Sequence, residues 1–372
     1  MMPLPNHLVR DHWLYDPARW PFLTSDVPGT GGRIRQEVDD FRVDERQAAP
    51  FDGEGDHVVV RIEKRDRTTR DVMDALQEAF GLDVHAVGHA GLKDRRAVTT
   101  QWLSLPASTG ISIDHWPEIP GVRLLEVDRH GKKLQAGHSG GNHFQIHVRG
   151  ADGQADQARA VLSRLQRTGV PNYFGPQRFG RDGDNAWEGL QLLARGRKPR
   201  GWRETLLCQA VQSWVFNDWL AHRLAIGSFA EVFRGDIAIK HVSGGKFQVG
   251  DAEVENRRAA DFEISATGPL FGRKFHEAAD RARAEEDQVL ATLGLERAGF
   301  RPLPGSRRAI RIPLGDAEVS PTETGFWLRF SLPPGGYATA VLREVLKDHS
   351  DVDGEGMAAT PEDRLEGSDD DA

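Results

Sequence analysis

One cysteine in 372 residues, Cys208, excludes an internal disulfide and leaves no thiol cluster for a structural zinc, so the fold must be held by packing. Long apolar runs are missing as well. Nothing approaches the roughly 18 to 20 residues that cross a bilayer, and the opening MMPLPNHLVRDHW lacks the continuous hydrophobic stretch of a secretory signal. A soluble chain in a reducing cytoplasm, with no membrane partner, is therefore expected. There is no GxxxxGK[ST] phosphate loop, no HExxH zinc pair and no nucleophile elbow. The 14 histidines show no ligand-like grouping. His85 and His89 are spaced i, i+4 but fall in an expected strand, and His143 and His147 read as the polar face of another. No metal and no cofactor is assigned, and a monomer is expected.

Basic residues are in deficit, 48 against 56 acids for a net charge of −8, which argues against a nucleic-acid partner. The distribution reverses that argument. Residues 348–372 hold ten acids against the single base Arg364, a local −9, so the remaining 347 residues carry +1. The tail has no aromatic residue and no apolar period, and reads as a disordered, solvated segment.

Strand and helix patterns interleave along the rest. RIRQEVDDFRVDE (33–45) ends in strand-like alternation, and VVVRIEK (58–64) is a clear strand. Thr69 is placed to cap a helix carrying Val72, Met73, Leu76, Ala79 and Phe80 at helical spacing, with Gly81 as its stop. Residues 84–105 read as strand, exposed loop, strand. In NHFQIHVRG (142–150), Phe144, Ile146 and Val148 share one face and His143, Gln145 and His147 the other. A helix follows over about 154–167. From 168 the texture changes to a Gly-, Pro- and aromatic-rich segment and then a long helix over 202–225, where a second domain is expected. FWLRFSL (326–332) returns to strand alternation and is placed to re-enter the first sheet, with a last helix over 337–347. The expected boundaries are 1–167 and 316–347 for one discontinuous domain, 168–315 for an inserted one, and 348–372 for the tail.

The strongest chemical signal is AGLKDRRAVTTQ (90–101), where the carboxylate of Asp94 is bracketed by Lys93, Arg95 and Arg96 in a loop between strands. Cations favour the ionised carboxylate, and a loop at a sheet rim can present it to a substrate as nucleophile or base. Spacing alone fits a turn-stabilising aspartate equally. Two basic concentrations, Arg61/Lys64/Arg65/Arg67/Arg70 and Arg195/Arg197/Lys198/Arg200/Arg203, fit either RNA phosphates or solvated faces. Tyr173, Phe174 and Phe179 near Arg178 fit either nucleotide stacking or local core, with core favoured for the two phenylalanines.

AGLKDRRAVTTQ resembles the catalytic-loop motif of the TruD family of tRNA pseudouridine synthases. KLQAGHSGGNHF (133–144), NYFGPQRFGRDGDN (172–185), CQAVQSWVFN (208–217), TGPLFG (267–272) and GYATAVLREVL (336–346) are similar to further blocks in that family's order, and DDFRVDE (39–45) is similar to its N-terminal block. Asp39 stands where Glu is usual, and Gly335-Gly336-Tyr337 where many relatives have Gly-Ser-Tyr. The resemblance implies a V-shaped, two-domain molecule: a mixed α/β catalytic domain made from both chain ends, a family-specific domain inserted between, and an RNA-binding cleft. It implies that Asp94 is catalytic, that Asn142 hydrogen-bonds and orients it, that Phe144 packs against the target uracil, and that Lys93 and Arg95 meet the substrate. It further implies a tRNA substrate, uridine 13 of its D arm as the target, and chemistry that needs no ATP, metal or organic cofactor. A non-catalytic RNA-binding protein or RNA chaperone on the same scaffold is the main alternative. A nuclease or methyltransferase fits poorly, for want of a carboxylate cluster or a Gly-rich cofactor loop.

Overall fold

The computed structural model describes residues 9–83 and 85–347, so the acidic tail and the expectation attached to it lie outside the described residues. In chain order the regular elements begin with β1 (Phe41–Gln47), β2 (His57–Arg65), α1 (Thr69–Phe80), β3 (Gly88–His89), β4 (Val98–Pro106), β5 (Val122–His130), β6 (Ser139–Arg149) and α2 (Ala155–Thr168). They continue with β7 (Val170–Pro171), α3 (Asn185–Ala194), α4 (Gly201–Ala225), β8 (Ile237–Lys240), β9 (Lys246–Gln248), α5 (Ala252–Ala260) and β10 (Ile264–Leu270). The last are α6 (Asp280–Thr292), β11 (Ser306–Ala309), β12 (Arg311–Ile312), β13 (Gly315–Thr322), β14 (Gly325–Leu332) and α7 (Ala338–Leu346).

The chain divides into two compact units, residues up to Asp26 with Arg164–Pro313, and Val27–Ser163 with the chain from Leu314. The segment up to Asp26 thus leaves the unit in which the sequence pattern puts it. The reason is packing: Trp13 and Trp20 are buried against Trp214 of α4, with ring centroids 5.4 and 5.2 Å away. In that unit α4 is buried almost all round, with Leu207, Val211, Trp214, Phe216, Trp219 and Leu220 buried along it. A four-stranded sheet, β11-β10-β8-β9, lies beside it, and a Cβ added to Gly268 of β10 would meet the Trp219 ring at 2.4 Å, so only glycine permits this approach. Phe179 is fully buried here and Tyr173 nearly so, and Phe174 packs against the same core.

The other unit is built on a mixed sheet in the order β13-β14-β6-β1-β4-β2-β5, with β3 added against β4. Only β1 and β4 run parallel among its named pairs. The returning β14 pairs with β6, Phe330 opposite Phe144, and so closes this sheet from the far end of the chain. The face carrying Val58, Val60 and Ile62 of β2 receives Val72, Met73 and Leu76 of α1. Burying three branched or linear apolar side chains of that kind stabilises the unit by several kcal/mol, at about 1.5–3 kcal/mol each. Thr68 rather than Thr69 caps α1, its hydroxyl accepting from Asp71 N–H in a capping box, and Gly81 ends it at φ +61°. Residues 85–89 are not the continuous strand expected: His85 lies in a turn, and β3 keeps only Gly88 and His89. His147, expected on a polar face, is buried, its ring nitrogens meeting Asp40 at 3.2 Å and Thr322 at 3.1 Å.

Candidate active site

Strand register brings the chemistry to one face of this sheet. Phe330, Phe144, Val43, Thr99 and Lys64 stand in one row across β14, β6, β1, β4 and β2. The next row on that face holds Leu332, Asn142 and Glu45, with Gln101 and Ile62 continuing it. A charged residue in phase with buried apolar neighbours is costly unless it has a partner, and Lys64 and Glu45 each have one. Together they pin the loop that carries Asp94.

Four ties hold that loop. Lys64, 0 % exposed, donates from Nζ to the main-chain oxygens of Asp94 and Arg67, both at 2.6 Å. Lys93 turns inward, its ammonium 2.5 Å from Glu45 Oε2, with the two side chains only 7 % and 1 % exposed. Glu45 also accepts from the Trp102 N–H at 3.0 Å. The Lys93 N–H donates to Thr69 Oγ1 at 2.9 Å, and that hydroxyl donates to Gln101 Oε1 at 2.8 Å. Gly137 N–H closes the start of the loop on the Ala90 carbonyl at 2.9 Å. A loop so tied presents its carboxylate with little freedom to reorganise.

The Asp94 carboxylate is one-fifth exposed, and its Oδ2 accepts from Arg35 Nη2 at 2.6 Å. Arg35 arrives on the segment before β1. There Thr30 and Gly31 donate to the carbonyls of Val345 and Leu346 in α7, and Arg33 exchanges two main-chain hydrogen bonds with Arg149 of β6. The Arg35 backbone then takes φ +56°, a left-handed conformation that costs a non-glycine residue on the order of 1 kcal/mol or more. Its guanidinium lies 4.1 Å over the Phe41 ring. Burial lowers the Arg35 pKa, and the adjacent Asp94 carboxylate opposes that shift.

The other expected site residues take differing positions. Phe144 is 7 % exposed, its ring stacked on Phe330 at 5.3 Å and edge-on to Phe41 at 6.4 Å. Asn142 makes no hydrogen bond to Asp94; its Oδ1 is buried and has no hydrogen-bond partner among the described residues. Thr99 Oγ1, Gln101 Nε2 and Arg35 Nε share that condition. Arg95 faces outward, its side chain 63 % exposed and 3.9 Å from Asp66. Of the flanking cations, Lys93 is therefore occupied internally and Arg95 is open to a ligand. In the second basic concentration Arg197 is taken by Glu204, with hydrogen bonds of 2.8 and 2.7 Å. Among the described residues no three His, Cys, Asp or Glu side chains are grouped to hold a metal ion, and no helix is long and apolar enough to cross a membrane.

Burial lowers the Lys64 pKa from 10.5 to about 8, with Asp94 opposing the shift. Between those values the unfolded chain keeps a proton that the folded chain releases, so the stability contributed by Lys64 rises from pH 8 towards 10.5. Below pH 8 the charged, buried ammonium is a constant cost, on the order of 3 kcal/mol. Urea unfolding of wild type and Lys64→Met at pH 7.5, 8.5 and 9.5 checks this. The difference should move in favour of wild type as the pH rises, and a flat difference would mean that Lys64 does not titrate there.

A family model described as tRNA pseudouridine synthase D (TruD) matches residues 20–196 and 203–345 of the chain. A tRNA pseudouridine synthase D of Thermus thermophilus is 48% identical over 336 residues, covering 90% of this chain and 94% of the relative. That of an Anaeromyxobacter species is 42% identical over 341 residues, covering 88% and 96%. The crystal structure of a candidate tRNA pseudouridine synthase D from Methanosarcina mazei superposes with a TM-score of 0.74 at 23% identity, covering 94% of this chain and 99% of that one.

Proposed function

The chain belongs to the TruD family of tRNA pseudouridine synthases, and on that footing we propose that it isomerises uridine 13 in the D arm of tRNA to pseudouridine with Asp94 as the catalytic carboxylate. The reaction breaks the N1–C1′ bond, turns the base and forms C5–C1′, with a proton lost from C5 and one gained at N1. Nothing is oxidised or reduced, and the product is an isomer. A carboxylate at C1′ or C2′ can open it by attacking C1′ or by taking the C2′ proton, and Asp94 is assigned to that position.

The observation that carries the reading is the Arg35–Asp94 pair, half-buried on a loop clamped from beneath by Lys64 and by the Lys93–Glu45 pair. Arg35 orients the carboxylate, and the rigid loop holds it where a flipped nucleotide can meet it. Asn142 serves the substrate: its unpartnered Oδ1 sits in the row next to Phe144, and a buried acceptor of this kind is completed by a ligand donor such as the N3–H of uracil. Phe144 borders the base from a ring already fixed by Phe330 and Phe41, and Arg95 meets the RNA backbone at the rim.

The test is base-resolved pseudouridine mapping of an unmodified tRNA transcript after incubation with purified protein, and of cellular RNA with and without it. New pseudouridine at position 13 is the expected result. Tight tRNA binding with no conversion at that position would instead make this chain a non-catalytic RNA-binding protein.

A further inference from the structure

Beside the Asp94 loop lies a second feature that the chemistry of the carboxylate does not use. A depression of about 340 Å³ is lined by Arg65, Arg67 and Arg95, with Asp66, Asp71, Pro120 and Gly121 completing it. Its charges are unevenly committed. Asp71 caps α1 through the Thr68 N–H at 2.8 Å, Arg65 is held by Asp39, and Arg95 has Asp66 at 3.9 Å. The Arg67 guanidinium, half-buried in this lining, makes no hydrogen bond or ion pair among the described residues. A guanidinium that gives up part of its hydration and gains no acceptor is held at a cost unless a ligand supplies one.

Its position relative to Asp94 is fixed. Lys64 grips the carbonyls of Arg67 and Asp94 with one ammonium, so the two oxygens lie within about 5 Å of each other. Arg95 follows Asp94 directly, and the Arg65 N–H donates to the Gly121 carbonyl at 2.9 Å, which closes the far wall. An anion in the depression would therefore stand about one nucleotide's reach from the catalytic carboxylate. Five of the seven residues lining it are charged, three of them arginines, and guanidinium groups match phosphate oxygens in a fork.

We propose that Arg67 and Arg95 form a subsite for the RNA phosphate that flanks the nucleotide held at Asp94. The proposal rests on the reading of Asp94 as the site of reaction, and it adds a backbone contact that would hold the strand while the base is turned out. Such a contact is blind to sequence: it positions the target without selecting it.

The experiment is equilibrium binding of unmodified tRNA transcript across a salt series, for wild type, Arg67→Ala, Arg67→Lys and Arg95→Ala. For Arg67→Ala the affinity at low salt should fall by roughly tenfold, and the slope of log affinity against log salt should lose roughly one unit. Arg67→Lys, which keeps the charge, should restore the slope. A transcript with one neutral methylphosphonate next to uridine 13 should lose affinity for wild type but not for Arg67→Ala. If Arg67→Ala keeps the wild-type slope and melting temperature, or if the neutral linkage penalises both proteins equally, the subsite is wrong. Because the readout is binding, a wild type that binds but leaves uridine 13 unconverted would overturn the assigned reaction and still leave the subsite open to this measurement.

Discussion

Asp94→Asn is expected to lower pseudouridine formation by roughly 10³-fold or more while tRNA binds nearly as tightly as before. The side chain is isosteric, and its amide oxygen can still accept from Arg35, so the loop geometry has no reason to change. The amide can neither attack C1′ nor take a proton from C2′, and both routes to the product close together. Affinity should survive because it is spread over many phosphate contacts, and removing a negative charge from the RNA face can only help it. The cost appears in stability: Arg35, with a side chain only 14 % exposed, loses its counter-charge, so a modest drop in melting temperature should accompany the loss of turnover. Single-turnover kinetics and equilibrium binding on purified protein measure the two effects separately. Turnover within a few-fold of wild type would remove Asp94 from the reaction.

Lys93→Met should have the largest effect on stability. Glu45 would keep only the Trp102 N–H as a partner in a site from which water is excluded, and an orphaned buried charge costs about 3–5 kcal/mol. Denaturant unfolding should show that loss, and activity should fall with it because the Asp94 loop loses its internal tie. The double variant Lys93→Met/Glu45→Met removes both charges and should be more stable than the single one, since an apolar pair of similar size escapes the desolvation penalty. The opposite pattern, weaker tRNA binding with unchanged stability in Lys93→Met, is what the expected substrate contact requires.

That contrast illustrates which parts of the site were legible in the sequence. The AGLKDRRAVTTQ segment singles out Asp94 through its resemblance to a family motif, and strand alternation correctly puts Phe144, Ile146 and Val148 on a buried face. Lys93 is tied to the substrate by the resemblance alone, and nothing local in the sequence reveals that its ammonium meets Glu45. A signal was nevertheless present. Lys64 is in phase with Val58, Val60 and Ile62, and Glu45 is in phase with Phe41 and Val43, so each is a charge on a core-facing row. Charges that break an apolar face mark buried polar networks, and these two flank the Asp94 loop. Arg35 carried no such mark, since its role depends on a left-handed backbone and on a chain end returning through α7. The N-terminal boundary failed for a similar reason: the partners of Trp13 and Trp20 lie on α4, and no local pattern encodes a contact of that range.

The same long-range closures govern how the protein can come off the ribosome. Trp20 donates to Asp218, 198 residues away, and His143 of β6 meets Ser331 of β14 across 188 residues. At a synthesis rate of about 5–20 residues per second, each early segment waits on the order of ten to forty seconds for its partner to be made. During that interval the β6 edge is an unpaired strand and two tryptophans lack their core, the conditions under which nascent chains associate with the wrong neighbour. The unit built on α4 has all its residues once position 313 is made, whereas the larger sheet must still wait for β13 and β14, so that sheet closes last. Synthesis through β14 is thus a precondition for closing the sheet that carries the Asp94 loop, and a chain stalled before residue 325 lacks the strand that covers β6.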